Sequence, residues 1–158
     1  MSTNKVVNPS IPRTIWVLTG AAFIVALGYG LIAPVLPQFA GSFGVSMAAA
    51  GAVVSVFALA RLLGAPGAGV LVDKLGSRPI YLTGLAIVAT STFFVAFAQA
   101  YWQIMALRFI AGFGSTMFTL SAQALIVRVT HPSIRGRANA LYATAFLVGN
   151  VFGPIVGA

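Results

Sequence analysis

Few side chains in this sequence are equipped for chemistry. Its 158 residues include nine Lys and Arg, a single acid (Asp73), a single histidine (His131) and no cysteine. Without cysteine there are no disulfides, thiolate metal sites or thiol nucleophiles. One carboxylate and one imidazole leave little for acid–base catalysis or for holding a metal. The expectation is a protein that is not an enzyme and carries neither metal nor cofactor. Two arginines stand out, Arg61 and Arg108, because each interrupts a long apolar run. A guanidinium stays charged in a protein, so each needs a backbone carbonyl, a ligand or an acid from outside this sequence.

The setting of those arginines is a membrane. Hydrophobic residues make up 59% of the chain and charged residues 6%, against roughly 25% charged in a soluble domain. A bilayer core about 30 Å thick needs about 20 apolar residues in helix. On that basis spans fall near 15–38, 47–72, 79–99, 102–128 and 137–158, after a segment 1–14. The first apolar run, Ile15 to Leu36, is longer than the roughly 7–15 residues of a signal-peptide core and reads as a span. The fold class is all-α, a polytopic membrane bundle whose short connections make successive helices antiparallel.

The net charge of +8 would suggest nucleic acid in a soluble protein. Here the cations are scattered singly, so they set orientation and no nucleic-acid partner is expected. Lys5 and Arg13 precede the first span, Lys74 and Arg78 follow the second, and Arg128, Arg135 and Arg137 surround the fourth-to-fifth connection. The other two connections carry none. By the positive-inside rule the N-terminus faces the cytoplasm.

Roughly 18 Å of helix separates Arg61 from Asp73, which puts Arg61 near mid-membrane. Its insertion cost of about +2.5 to +3.5 kcal/mol is close to the gain of about −3 to −6 from the span's apolar residues. Arg61 should therefore face protein or a wet cavity, and Gly64, Ala65 and Ala68 on its side admit a close neighbour. Packing on carbonyls and a functional role are both open to it. Arg108 lies about 9 Å beyond the interfacial Trp102. It shares a helical face with Gly112, Ser115, Thr119 and, less centrally, Gln123, a stripe suited to a cavity wall or a tight helix contact.

Other short patterns are weaker. Gly28-x-Gly30-x-x-Ala33 mimics a dinucleotide-binding loop but lies in an apolar span with no preceding strand. His131 beside Pro132 reads as a solvated loop residue. Tyr29, Phe109, Phe113 and Phe118 suit an apolar ligand and lipid-facing packing equally well.

Four segments together carry a family resemblance. After the second span comes Gly69-Val-Leu-Val-Asp73-Lys74-Leu-Gly76-Ser77-Arg78-Pro79. Gly76 permits a sharp turn, Pro79 suits the first turn of a helix, and Asp73 can pair with Arg78 or a helix N-terminus. This run resembles the second-to-third-span signature of the major facilitator superfamily, with Ser77 where an Arg is common. Gly30, Pro34 and Pro37 at the end of the first span look like the first-span motif of drug:proton antiporters. Arg108-x3-Gly112-x-Gly114 resembles the fourth-span motif whose Arg is linked to proton transfer. Gly149-x3-Gly153-Pro154-x2-Gly157 resembles the antiporter motif; physically, Ala145, Gly149, Gly153 and Gly157 make one small-residue seam, and Pro154 can bend the helix.

The resemblance implies about five helices of the N-terminal six-helix half of a major facilitator fold, with the second bundle absent from this sequence. It further implies a transporter in the cell membrane, with membrane lipid, a small-molecule substrate, protons and the remaining C-terminal half as partners. The function expected is proton-coupled efflux of small drug-like molecules by alternating access. By the same resemblance the first and fourth spans line the cavity, making Tyr29, Arg108, Gly112, Ser115 and Thr119 candidate pathway residues, to which Arg61 of the second span is added for its mid-membrane charge. The turn around Gly69, Asp73, Lys74, Gly76 and Arg78 is a conformational motif. Neither the first nor the fourth span has the acid often used for proton exchange, which leaves a symporter or uniporter of the same superfamily as an alternative. A truncated, non-transporting bundle is the other.

Overall fold

The computed structural model describes residues 10–157. Lys5, most of the 1–14 segment and Ala158 lie outside the described residues. Five long helices form: α1 (Arg13–Gly41), α2 (Met47–Leu75), α3 (Ser77–Val95), α4 (Tyr101–Val129) and α5 (Arg135–Gly157). All five are long and apolar enough to cross a membrane, the fifth counted with the 3₁₀ turn Pro132–Ile134 that leads into it.

The helix ends follow local chemistry. Ser46 caps α2 by accepting a hydrogen bond from the Ala49 N–H at 3.2 Å. His131 caps the 3₁₀ turn in the same way through Nδ1, which accepts from the Ser133 N–H. Gly76 separates α2 from α3 at φ 88° and ψ 157°, an extended positive-φ conformation that residues with a Cβ resist. The apolar run of α3 continues past its last helical residue. Ala96 to Ala98 form turns on the carbonyls of Phe93 to Val95, and the Gln99 N–H donates to Gln103 Oε1 at 2.7 Å to close the connection. Composition there extends the span to near 99, whereas the backbone turns after Val95.

α4 is the centre of the bundle, packed against α2 on one side and α3 on the other, while α5 packs along α1. Accordingly α4 is the most buried of the five helices. The core has two parts. Near the end holding the α2–α3 and α4–α5 connections, called here the basic end, Ile15, Leu18, Tyr81, Phe118, Leu125 and Tyr142 cluster. At the opposite end Leu36, Ala40, Val53, Val95 and Ile104 form the second cluster. Tyr101 Oη ties α4 to α2 at that end by donating to the Ala49 carbonyl at 2.7 Å. Large apolar side chains such as Ile24, Leu62, Leu82, Leu147 and Ile155 point outward, as a lipid-facing surface requires.

Candidate functional site

Between the two apolar clusters lies a layer of polar groups contributed by α1, α2 and α4. Arg108 is only 7% exposed, and its Cζ lies 4.3 Å from the ring centroid of Phe57 on α2. A guanidinium over an aromatic face gains about 2 kcal/mol when desolvated. Tyr29 of α1 meets the same Phe57 ring edge-on, with centroids 5.6 Å apart. Its hydroxyl lies beside Ser115. Neither Tyr29 Oη nor Arg108 Nε has a hydrogen-bond partner among the described residues.

The fourth-helix stripe divides between contact and cavity. Gly112 is a contact: a Cβ built there would lie 2.6 Å from the Phe57 carbonyl oxygen and 2.6 Å from Ala60 Cβ. Only glycine lets α4 approach α2 so closely. One turn further on, Thr116 Oγ1 donates to the Arg61 carbonyl at 3.0 Å, locking the helices together. Ser115 is buried beside Tyr29. Thr119 donates to the Ser115 carbonyl at 2.7 Å and, with Arg61 and Thr116, lines a groove of about 410 Å³ between α2 and α4. Arg61 itself is exposed at the edge of that groove. Gly64 and Ala68 are buried, and Gly64 receives the Phe113 ring at a spacing that leaves no room for a Cβ.

The remaining motif residues lie apart from this layer. Gly30 and Gly149 with Gly153 meet at the α1–α5 seam, where Pro154 Cδ would lie 3.0 Å from a Cβ on Gly30. Pro34 and Pro37 sit inside α1, which continues through them to Gly41. Pro154 is likewise inside α5, which runs on to Gly157. Asp73, Lys74 and Arg78 are exposed at the basic end, and Gly69 is half-buried. His131 is exposed in its connection.

Phe57 and Thr116 are the residues that sequence reasoning did not single out. Phe57 is an ordinary apolar residue in an apolar span, and Thr116 lies one position off the Arg108 stripe. The one available signal was that Phe57 precedes Arg61 by one helical turn. Of the four aromatics, Phe118 belongs to the core at 2% exposure, its ring tilted against that of Tyr81 with centroids 5.0 Å apart. Phe109 and Phe113 pair with each other at 5.2 Å.

Five helices long and apolar enough to cross a membrane thus surround a buried polar layer. The sequence pattern of the Major Facilitator Superfamily matches residues 18–158, and the chain belongs to that family of transporters. It is 33% identical over 146 residues to the quinolone resistance protein NorA of Staphylococcus aureus (strain MRSA252), covering 92% of this chain and 37% of that protein. It is 32% identical over 155 residues to the multidrug resistance protein MdtG of Citrobacter koseri, covering 96% of this chain and 37% of that protein. The chain thus spans a little over a third of the length of these relatives.

Proposed function

We propose that these helices are the substrate-facing wall of a secondary active transporter that exports small drug-like molecules in exchange for protons. The observation that carries this reading is Arg108, a buried cation of α4 facing Tyr29 and Phe57 in mid-bundle. Keeping a charge there is costly, and a substrate or proton pathway is a reason to keep it. The names of the two relatives, quinolone and multidrug resistance proteins, support a drug-like substrate.

In this reading the polar layer faces a second bundle supplied by the remaining C-terminal part of the transporter, with substrate between the two. The exposed turn of Gly69, Asp73, Lys74, Gly76 and Arg78 meets that bundle in one conformation and releases it in the other. The N-terminus lies in the cytoplasm, because the basic residues gather at the end of the α2–α3 and α4–α5 connections. The lack of an acid in α1 and α4 supports a second reading, a uniporter or symporter of the same family. Inverted vesicles containing the protein decide between them. Substrate accumulation driven by an inward-acidic gradient is expected for exchange; flux indifferent to the gradient would favour the uniporter.

A further inference from the structure

α1 and α3 both begin at the basic end of the bundle, with Arg13 and Ser77 as their first residues. Neither helix has a side-chain cap or an acid in its first turn, so the positive ends of both helix dipoles are uncompensated there. A cavity of about 550 Å³ opens between them, its wall formed by Arg13 and Thr14 of α1 and Arg78 and Tyr81 of α3. Both arginines are exposed. The Tyr81 hydroxyl, in a side chain only 7% exposed, has no hydrogen-bond partner among the described residues. The single acid of the sequence, Asp73, belongs to α2 and takes no part in this wall.

Below the arginines the wall turns apolar, with Val17, Leu18 and Leu82. The same two helices bound a second cavity of about 190 Å³ deeper in the membrane, where Gly28 faces Leu85 and Val88. A Cβ on Gly28 would meet nothing within 4 Å, so this glycine leaves room rather than seating a neighbouring helix. One leaflet of the hydrocarbon core is about 15 Å deep, or about ten helical residues. That depth carries α1 from Leu18 to Gly28. Cations thus stand at headgroup level over an apolar groove the length of one acyl chain.

We propose that the α1–α3 groove holds one anionic phospholipid, its phosphate between Arg13 and Arg78 and an acyl chain running past Leu18 toward Gly28. A guanidinium fork matches the oxygens of a phosphate, and a basic pocket between membrane helices recognises anionic headgroups. Tyr81 lies about 4.5 Å deeper than Arg78 along α3, where its hydroxyl donates to an oxygen beneath the phosphate. A soluble phosphate ester would satisfy the cations and leave the apolar groove unfilled.

Tryptophan fluorescence tests this in the reconstituted protein. Trp16, exposed one helical turn from Arg13, becomes the sole tryptophan in a Trp102→Phe background and reports on the basic end. Brominated phosphatidylglycerol should quench it saturably, with a preference over brominated phosphatidylcholine on the order of tenfold. Arg13→Gln and Arg78→Gln should each weaken that preference about fivefold, the effect of one cation near an anionic headgroup. Tyr81→Phe should weaken it about threefold, the equivalent of one hydrogen bond. Gly28→Phe fills the groove without altering any charge and should weaken it as much as either glutamine change. Lys74→Gln, at the same end but outside this wall, should change it far less. Unchanged circular-dichroism spectra separate loss of the site from loss of the fold.

Equal quenching by the two lipids would overturn the proposal, and is the result expected if a second copy or another stretch of protein covers the groove. So would a preference unchanged in both glutamine variants. A preference that survives Gly28→Phe would mean that surface charge alone is sensed, with no groove-bound chain. Its removal by glycerol 3-phosphate would make a soluble phosphate ester the ligand. Either outcome contradicts a bound lipid.

Discussion

Gly30 of α1 and Gly153 of α5 lie backbone to backbone. A Cβ built on Gly153 would fall 2.5 Å from Gly30 Cα, and one built on Gly30 would fall 2.9 Å from Gly153 Cα. Two motifs that lie far apart in the sequence are therefore the two halves of one contact. One turn earlier on α5, Gly149 repeats the arrangement against the Phe23 carbonyl and Ala26.

Because backbone stands on both sides of that contact, a side chain cannot be absorbed by a rotamer change. Gly153→Val should destabilise the bundle by about 1–3 kcal/mol or more, the usual range for overpacking. Gly20→Ala, inside α1 where a Cβ would meet nothing within 4 Å, should instead stabilise by about 0.4–1 kcal/mol. Unfolding in a titration with dodecyl sulfate measures both.

The turn between α2 and α3 makes a conformational demand with no packing component. A Cβ on Gly76 would meet no atom within 4 Å, yet its φ is 88°. Gly76→Ala should therefore cost about 1–3 kcal/mol from backbone strain alone. Gly76→Asn should cost as much, since ψ is 157° and this extended region is reserved for glycine, unlike the left-handed helical one that asparagine tolerates. The same titration measures both variants.

The Tyr101 hydroxyl joins α4 to α2 through the Ala49 carbonyl at 2.7 Å. Tyr101→Phe keeps the ring and removes that bond. A loss of about 1 kcal/mol is expected, smaller than that of Gly153→Val. A loss within error would mean that the Ala49 carbonyl is satisfied equally well by water or lipid headgroups.

Orientation is testable without removing any native thiol, because the sequence contains no cysteine. Ser133→Cys places a thiol in the exposed α4–α5 connection, and Ser42→Cys places one in the exposed α1–α2 connection. In intact cells a membrane-impermeant maleimide should label Ser42→Cys and spare Ser133→Cys until the membrane is opened. The opposite pattern would place the N-terminus outside.

Much of this was legible in the residues, and the exceptions have physical causes. The five helices could be read because lipid enforces long apolar runs, and few charges interrupt them. Arg61 and Arg108 were conspicuous for the same reason, as rare charges in apolar spans. Their surroundings were not legible. Which ring covers Arg108 depends on how α2 rotates against α4, and that rotation is fixed by Gly112 seating on Ala60 and the Phe57 carbonyl. Phe57 carries no mark in sequence to set it apart from other phenylalanines. The end of α3 was obscured differently. Ala96 to Ala98 are apolar enough to continue the span, but their N–H groups turn back on the preceding carbonyls.

The central claim is that the buried Arg108 serves transport rather than packing alone. Its most direct test is proton-gradient-driven accumulation of substrate in inverted vesicles containing the protein, comparing the unaltered protein with Arg108→Ala and Arg108→Lys at matched membrane levels. The account predicts that Arg108→Ala loses at least about tenfold in initial rate, the equivalent of roughly 1.4 kcal/mol. It also predicts that Arg108→Lys recovers part of that rate. Transport by Arg108→Ala equal to that of the unaltered protein would contradict it.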